Sequence, residues 1–278
     1  MQRAFSRFVG VDLGGGRGKT TAVAELRMGA GGTAEVIEVA TRAGKLPWTD
    51  DTLIGRLAIP DPNRVIAVDA PLTQTACGRC AVPVCPGTEA CADPAVVWLR
   101  TTGRQLMQKV AAETVGGSSR NVSPPPQARL QPYAHRATDV VMTYQRGLLP
   151  LSTLGTANSM ITARAGQLRR RLRGAGYQLH GNLLEVSPAA TIAALCGPRV
   201  ARGYKRDADP WVTRAEVLAR FDDLSFAPQS RMAREDVLRN DHCFDAVISA
   251  YTAFLWARDG WESPTGVFAE DGWIFSPP

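Results

Sequence analysis

Two aspartates each close a short apolar run: Asp12 after Phe8-Val9-Gly10-Val11, and Asp69 after Val65-Ile66-Ala67-Val68. A strand that ends in a carboxylate delivers a negative charge to the rim of a sheet. Two such strands side by side would set two like charges together, and such a rim recruits a cation. Glu185 ends a third apolar run, and Asp241 and Asp245 lie four apart, on one face of a helix. Three or four converging acids are what a pair of Mg²⁺ or Mn²⁺ ions needs to hydrolyse a phosphodiester. The candidate catalytic set is therefore Asp12, Asp69, Glu185, Asp241 and Asp245. In it Asp12, Asp69 and Asp245 hold metal, and Glu185 or Asp241 is a fourth acid. The plain alternatives are that Asp241 decorates a helix end and that Glu185 pairs with an arginine.

A second constellation is made of thiols. Cys77-x2-Cys80-x4-Cys85-x5-Cys91 packs four of the chain's six cysteines into one short segment, with Gly78, Pro83, Pro86 and Gly87 between them. In a reducing compartment that density points to a metal rather than to disulfides. Structural Zn²⁺ is the first reading of this four-cysteine set and a [4Fe–4S] cluster the second. Cys196 and Cys243 stand in apolar helical surroundings and are expected in the core.

The chain carries a net charge of +6 with only four lysines, so its positive charge is mostly arginine. Arginine grips phosphate bidentately, which suits nucleic acid; an arginine-biased composition gives the same count. The densest cluster is Arg169, Arg170, Arg171 and Arg173 on an expected helix. Arg169, Arg170 and Arg173 are candidate phosphate contacts, as are Lys205 and Arg136, the latter three residues before Asp139. His135, His180 and His242 are not spaced as metal ligands; His242, beside Asp241, reads first as a capping or surface residue and second as one that faces the site.

One motif misleads. Gly14-Gly15-Gly16-Arg17-Gly18-Lys19-Thr20 looks like a phosphate-binding P-loop, but the position five before Gly18 is Leu13. The residues that follow, Thr21 to Leu26, read as a strand, whereas a P-loop opens a helix.

The elements that must position these residues can be read in outline. Residues 5–12, 19–27 and 34–41 read as three strands joined by turns, antiparallel in sequence order. Residues 48–57 read as a helix opened by Thr49-Asp50-Asp51, and 65–70 as a fourth strand. That order opens both the ribonuclease H fold and the actin-like kinases. The Cys-rich segment 73–94 reads as an insertion, and 116–126 as a mobile glycine- and proline-rich loop. Helices are expected over parts of 95–115, over 127–147, 157–173 and 211–221, and as one long helix over 235–256. Residues 222–230 read as a loop and 265–275 as a hairpin-like close.

The whole pattern resembles the domain-of-unknown-function family 429, described as predicted nucleases of the ribonuclease H fold. The resemblance is carried by Gly10-Val11-Asp12-Leu13, Ile66-Ala67-Val68-Asp69-Ala70-Pro71-Leu72, Arg136-x2-Asp139, Glu185-Val186-Ser187-Pro188 and Tyr204-Lys205. Asp241-His242-Cys243-Phe244-Asp245-Ala246 and Glu270-Asp271-Gly272-Trp273-Ile274 complete it. It implies an α/β, ribonuclease H-like domain spanning residues 1–278 and a metal-dependent nuclease activity.

At 278 residues and 45% hydrophobic the chain is long enough to bury a full core. No run of ~18 apolar residues predicts a membrane span, and no apolar export segment follows the basic start, so a cytoplasmic protein is expected. The expected activity is hydrolysis of DNA or RNA by two metal ions. The alternatives are a nucleic-acid-binding or redox-sensing protein with a four-cysteine metal centre, and an actin-like ATP-dependent kinase.

Overall fold

The computed structural model describes residues 3–15, 20–116, 130–148, 153 and 159–278, without the side chains of 113–116. The expected mobile loop at 116–126 lies outside them but for Gly116, as do Gly16 to Lys19 of the glycine turn.

Strand β1 (Arg7–Asp12) pairs antiparallel with β2 (Ala22–Met28), and β2 antiparallel with β3 (Ala34–Ala40). A two-residue ribbon, β4 (Arg42–Ala43) with β5 (Leu46–Pro47), follows. Helix α1 (Asp50–Leu57) starts in a reciprocal cap: Thr52 N donates to Thr49 Oγ1 and Thr49 N to Thr52 Oγ1. Strand β6 (Arg64–Asp69) then returns parallel to β1.

After the Cys-rich segment come α2 (Pro94–Trp98), a π-turn, α3 (Arg104–Gly116), α4 (Ala137–Arg146) and α5 (Ser159–Gly174). Strand β7 (Leu183–Val186) leads into α6 (Pro188–Cys196), α7 (Pro198–Arg206) and α8 (Pro210–Leu218). Strand β8 (Leu224–Phe226), α9 (Arg234–Arg239), α10 (Asp241–Asp259), α11 (Phe268–Asp271) and β9 (Ile274–Phe275) close the chain. The main sheet runs β8-β3-β2-β1-β6-β7-β9; β2 is antiparallel to both its neighbours, and every other neighbouring pair is parallel.

Alternation along the strands splits the core into two layers. Val9, Val11, Val23, Ile66 and Val68 face α1 and α5. Phe8, Ala22, Ala24, Val65 and Ala67 face the other side, against α6 to α10. Helix α10 is central to that side. Its small residues Ala246, Ala250, Ala253 and Ala257 are all fully buried, and they let the helix lie close upon the strands. No helix among the described residues is long and apolar enough to cross a membrane.

Four local expectations are corrected. The long helix expected over 235–256 is two helices, because Asn240 leaves helical geometry (φ −109°, ψ 109°) and caps α10 by accepting from His242 N and Cys243 N. Residues 222–230 hold a strand, β8, whose three residues are too few to show alternation. The end of the chain is α11 followed by β9 rather than a hairpin. In 127–147 the described helix is only Ala137–Arg146, and α7 sits where no helix is expected.

Candidate metal centre

Asp12 and Asp69 are direct partners in the parallel register of β1 and β6. Both fall on the side of the sheet that faces α10, by the same two-residue period that puts Phe8, Val65 and Ala67 there. The third acid comes from α10. Gly10 lies under that helix so closely that a Cβ added to it would sit 2.0 Å from Ala246 O and 2.4 Å from Ala250 N. Ala246 is thereby pressed onto β1, and its neighbour Asp245 is carried to the strand ends. Carboxylate oxygens of Asp12, Asp69 and Asp245 all lie within 4.8 Å of one another.

Asp245 is fully buried, and neither of its oxygens receives a hydrogen bond of regular geometry. Its close company is the ammonium of Lys205, in ion-pair contact with Oδ2, and the nearby Tyr204 hydroxyl. Burial, and then the charge of Asp12, push its carboxyl up to about 6 against the pull of Lys205. Part of Asp69 reaches solvent, yet desolvation and the charges of Asp245 and Asp12 hold it well above the ordinary range. Burial tends to lower the Lys205 ammonium, but Asp245 and Asp69 outweigh that and raise it. His242 Nδ1 lies 2.5 Å from Asp12 Oδ2, and that hydrogen bond raises the imidazole toward its charged form. His242 thus faces the site, the second of the two readings of its position rather than the first. The sequence carries a signal for it: positions 242, 245 and 246 share one helix face.

With its acids ionised, three carboxylates against Lys205 and one imidazole leave a net negative, oxygen-lined site. That donor set fits a hard divalent cation such as Mg²⁺ or Mn²⁺. Asp241 stands one turn before Asp245, at the start of α10, where its Oδ1 accepts from His242 N (3.1 Å); it is outside the three-acid group.

Glu185 and Arg136 do not join it. Glu185 alternates with Leu184 and Val186, and so faces the opposite layer with Leu183. There it accepts from both Arg136 Nη1 (2.9 Å) and Nη2 (2.6 Å) and from Leu72 N (2.8 Å). Arg136 is fully buried, also binds Asp139 Oδ1 (2.8 Å) and Thr73 Oγ1 (2.8 Å), and so cannot touch a substrate. Its role is to clamp Leu72 and Thr73, the backbone that leaves Asp69. We expect Arg136→Met to cost about 3–5 kcal/mol, the usual penalty for stranding buried charges. Glu185, whose carboxyl burial already pushes up, takes a proton in acid and then needs no partner charge. The loss in melting temperature should therefore shrink between pH 7 and pH 4; an equal loss at both would refute the charge argument.

The arginine helix is also placed differently. Helix α5 packs on the layer with α1, away from α10. Arg169 donates to Leu72 O (3.1 Å), whereas Arg170 and Arg173 lie on α5 and do not line the acids. A cleft of about 390 Å³ instead runs along the strand-end rim, bordered by Thr21, Arg42, Trp48 and the α10 cap Asn240. The segment after the glycine turn is β2, so no helix follows it as a P-loop would require.

The four thiols Cys77, Cys80, Cys85 and Cys91 are free, the first three exposed. Residues 74–93 contain no helix or strand.

Fold and site together define an α/β protein with a three-carboxylate centre at the ends of two parallel strands. Residues 10–267 match the family described as "Protein of unknown function (DUF429)", and the chain belongs to it. No curated protein and no solved structure matches the chain.

Proposed function

We propose that this chain is a cytoplasmic, divalent-metal-dependent nuclease that hydrolyses phosphodiester bonds of DNA or RNA. The observation that carries the reading is the meeting of Asp12, Asp69 and Asp245 around a buried carboxylate that lacks regular hydrogen bonds. The strand order β3-β2-β1-β6-β7, antiparallel and then parallel, supports a ribonuclease H-like fold for the same region. When bound by these acids, Mg²⁺ or Mn²⁺ would supply Lewis-acid polarisation of a phosphoryl oxygen and activation of water.

The chain's own groups do the rest. His242 Nδ1 holds Asp12 through its Oδ2 and so fixes the orientation of that carboxylate. Lys205, held protonated by Asp245, offers further N–H donors to a phosphate brought to the site. Arg42 and Trp48 on the rim supply a cation and a ring face for a nucleic-acid strand lying along the cleft.

The test is cleavage of labelled single- and double-stranded DNA and RNA by purified protein in Mn²⁺, in Mg²⁺ and in EDTA. We expect cleavage that depends on the metal and is lost in Asp12→Asn with the circular dichroism unchanged. Absence of cleavage of every substrate, or an Asp12→Asn protein that cuts at the wild-type rate, would sink the proposal.

A further inference from the structure

We propose that the exposed basic stripe of α7, made by Arg199, Arg202 and Arg206, binds the phosphate backbone of a nucleic acid and leads it past Lys205 to the three acids. The identity of the ligand rests on the nuclease reading above; the stripe itself is read from the helix.

Helix α7 carries Arg199, Arg202, Lys205 and Arg206 and no acidic residue. Its inner face is fixed. Ala201 and Tyr204, three apart, are buried in the layer with α10, and the Tyr204 ring centre lies 5.7 Å from that of Phe244 on α10. Buried Arg214 of α8 ties down the same turn, donating from Nε to Tyr204 O (2.9 Å) and from Nη1 to Leu238 O (2.8 Å). The outer face holds Arg199, Arg202 and Arg206, spaced three and four apart and all exposed. That sets one guanidinium on each turn, ~5 Å from the next along the axis. Lys205 stands where the two faces meet: its side chain is 42% exposed, and its ammonium contacts Asp245. One helix thus touches the acid centre and shows three further cations to solvent beside it.

The fold does not account for those three. Arg7, Arg56, Arg136, Arg164 and Arg258 are each paired with a carboxylate. The side chains of Arg199, Arg202 and Arg206 make no hydrogen bond or ion pair with any described residue. The next acid in the chain, Asp207, instead accepts from Thr213 Oγ1 (2.8 Å). Like charges at these spacings weaken a helix. The helix dipole favours Arg206 in the last turn but opposes Arg199 in the first. A polyanion laid on the stripe removes the repulsion, and arginine grips the phosphates of a nucleic acid bidentately. Helix α5 offers as many arginines, but in the layer away from the acids.

The experiment is binding of labelled single- and double-stranded DNA and RNA to the full chain in EDTA, followed by fluorescence anisotropy as salt is raised. Wild type is compared with Arg199→Ala/Arg202→Ala/Arg206→Ala and with Arg170→Ala/Arg171→Ala/Arg173→Ala, which takes the same charge from α5. The α7 variant should melt as wild type does, because its substitutions are at the surface. It should bind about tenfold or more weakly, with a slope of log K against log salt shallower by about 2 to 3. Each α7 substitution alone should flatten that slope by about 1, so the reading does not hang on the triple variant. The α5 variant should bind within about twofold of wild type at 0.15 M salt, where distant charges are screened. A wild type that binds no nucleic acid, an α7 variant that binds as wild type does, or an equal loss in the α5 variant overturns the inference. A protein that binds through α7 yet cuts nothing fails the nuclease reading alone; one that cuts, yet binds independently of α7, fails this inference alone.

Discussion

Asp69→Asn is expected to make the metal-free protein more stable and, on the nuclease reading proposed above, to abolish cleavage. Asp69 is the acid with the most to lose from its neighbours. Desolvation and the charges of Asp245 and Asp12 raise its carboxyl well above the usual range. An amide removes the repulsion and can donate N–H to either flanking carboxylate. The gain is about 1.4 kcal/mol for each unit by which Asp69 is raised, and each kcal/mol is worth about 2–4 °C in a chain of this size.

The sign with pH follows from the same fact. Between the unfolded and the raised native value, folded Asp69 keeps a proton that the unfolded chain has released. Wild-type stability contributed by this site is therefore lost as pH rises through that window. The melting-temperature advantage of Asp69→Asn should be small at pH 4 and grow as pH rises to 7. Mn²⁺ should raise the melting temperature of wild type and not of the variant, and metal-dependent cleavage should fall more than about 100-fold, beyond the loss typical of removing a mere supporting group. A variant that is less stable than wild type in EDTA at pH 7 would show that the acids are not under mutual repulsion.

Gly10→Ala is expected to disrupt the fold itself. The added methyl would meet Ala246 O at 2.0 Å and Ala250 N at 2.4 Å, both backbone atoms of α10. No rotamer change relieves a clash with a helix backbone, so α10 must move off the sheet. It cannot do so cheaply, because Phe244, Val247, Ile248, Phe254 and Trp256 on the same helix are all fully buried. The cost should exceed the ~1–3 kcal/mol usual for an overpacked core, and Gly10→Val should give no soluble folded protein. Any Gly10→Ala protein that does fold should bind Mn²⁺ poorly, because lifting Ala246 lifts Asp245. Melting followed by tryptophan fluorescence, with Trp256 as reporter, checks the first point; a melting temperature within about 2 °C of wild type would reject it, since one kcal/mol of cost already exceeds that.

Short apolar runs bounded by turns make β1, β2, β3 and β6 readable from residue type alone, and with them the candidate pairing of Asp12 with Asp69. Asp245 is readable as well, because it lies on a strongly apolar helix four residues after Asp241. Which way Glu185 faces is not. A strand end shows its period only against neighbours, and the register with Val68 decides the side. Arg136 carries the same difficulty: its spacing from Asp139 is as compatible with a surface pair as with a buried clamp, and only the arrival of Glu185 from another strand settles it. The break at Asn240 is masked by apolar residues of helical period on both sides. His242 is easily discounted because an isolated histidine has no ligand spacing, although its partner, Asp12, comes from the other end of the chain.

The clamp of Arg136 and Glu185 on Leu72 and Thr73 acts as a firebreak. Between the Cys-rich segment and Asp69 the chain passes Thr73 and Leu72, which two buried, multiply bonded groups hold in place. The segment is therefore open to exchange: a designer can graft a different module between residues 74 and 93 while the three acids keep their positions.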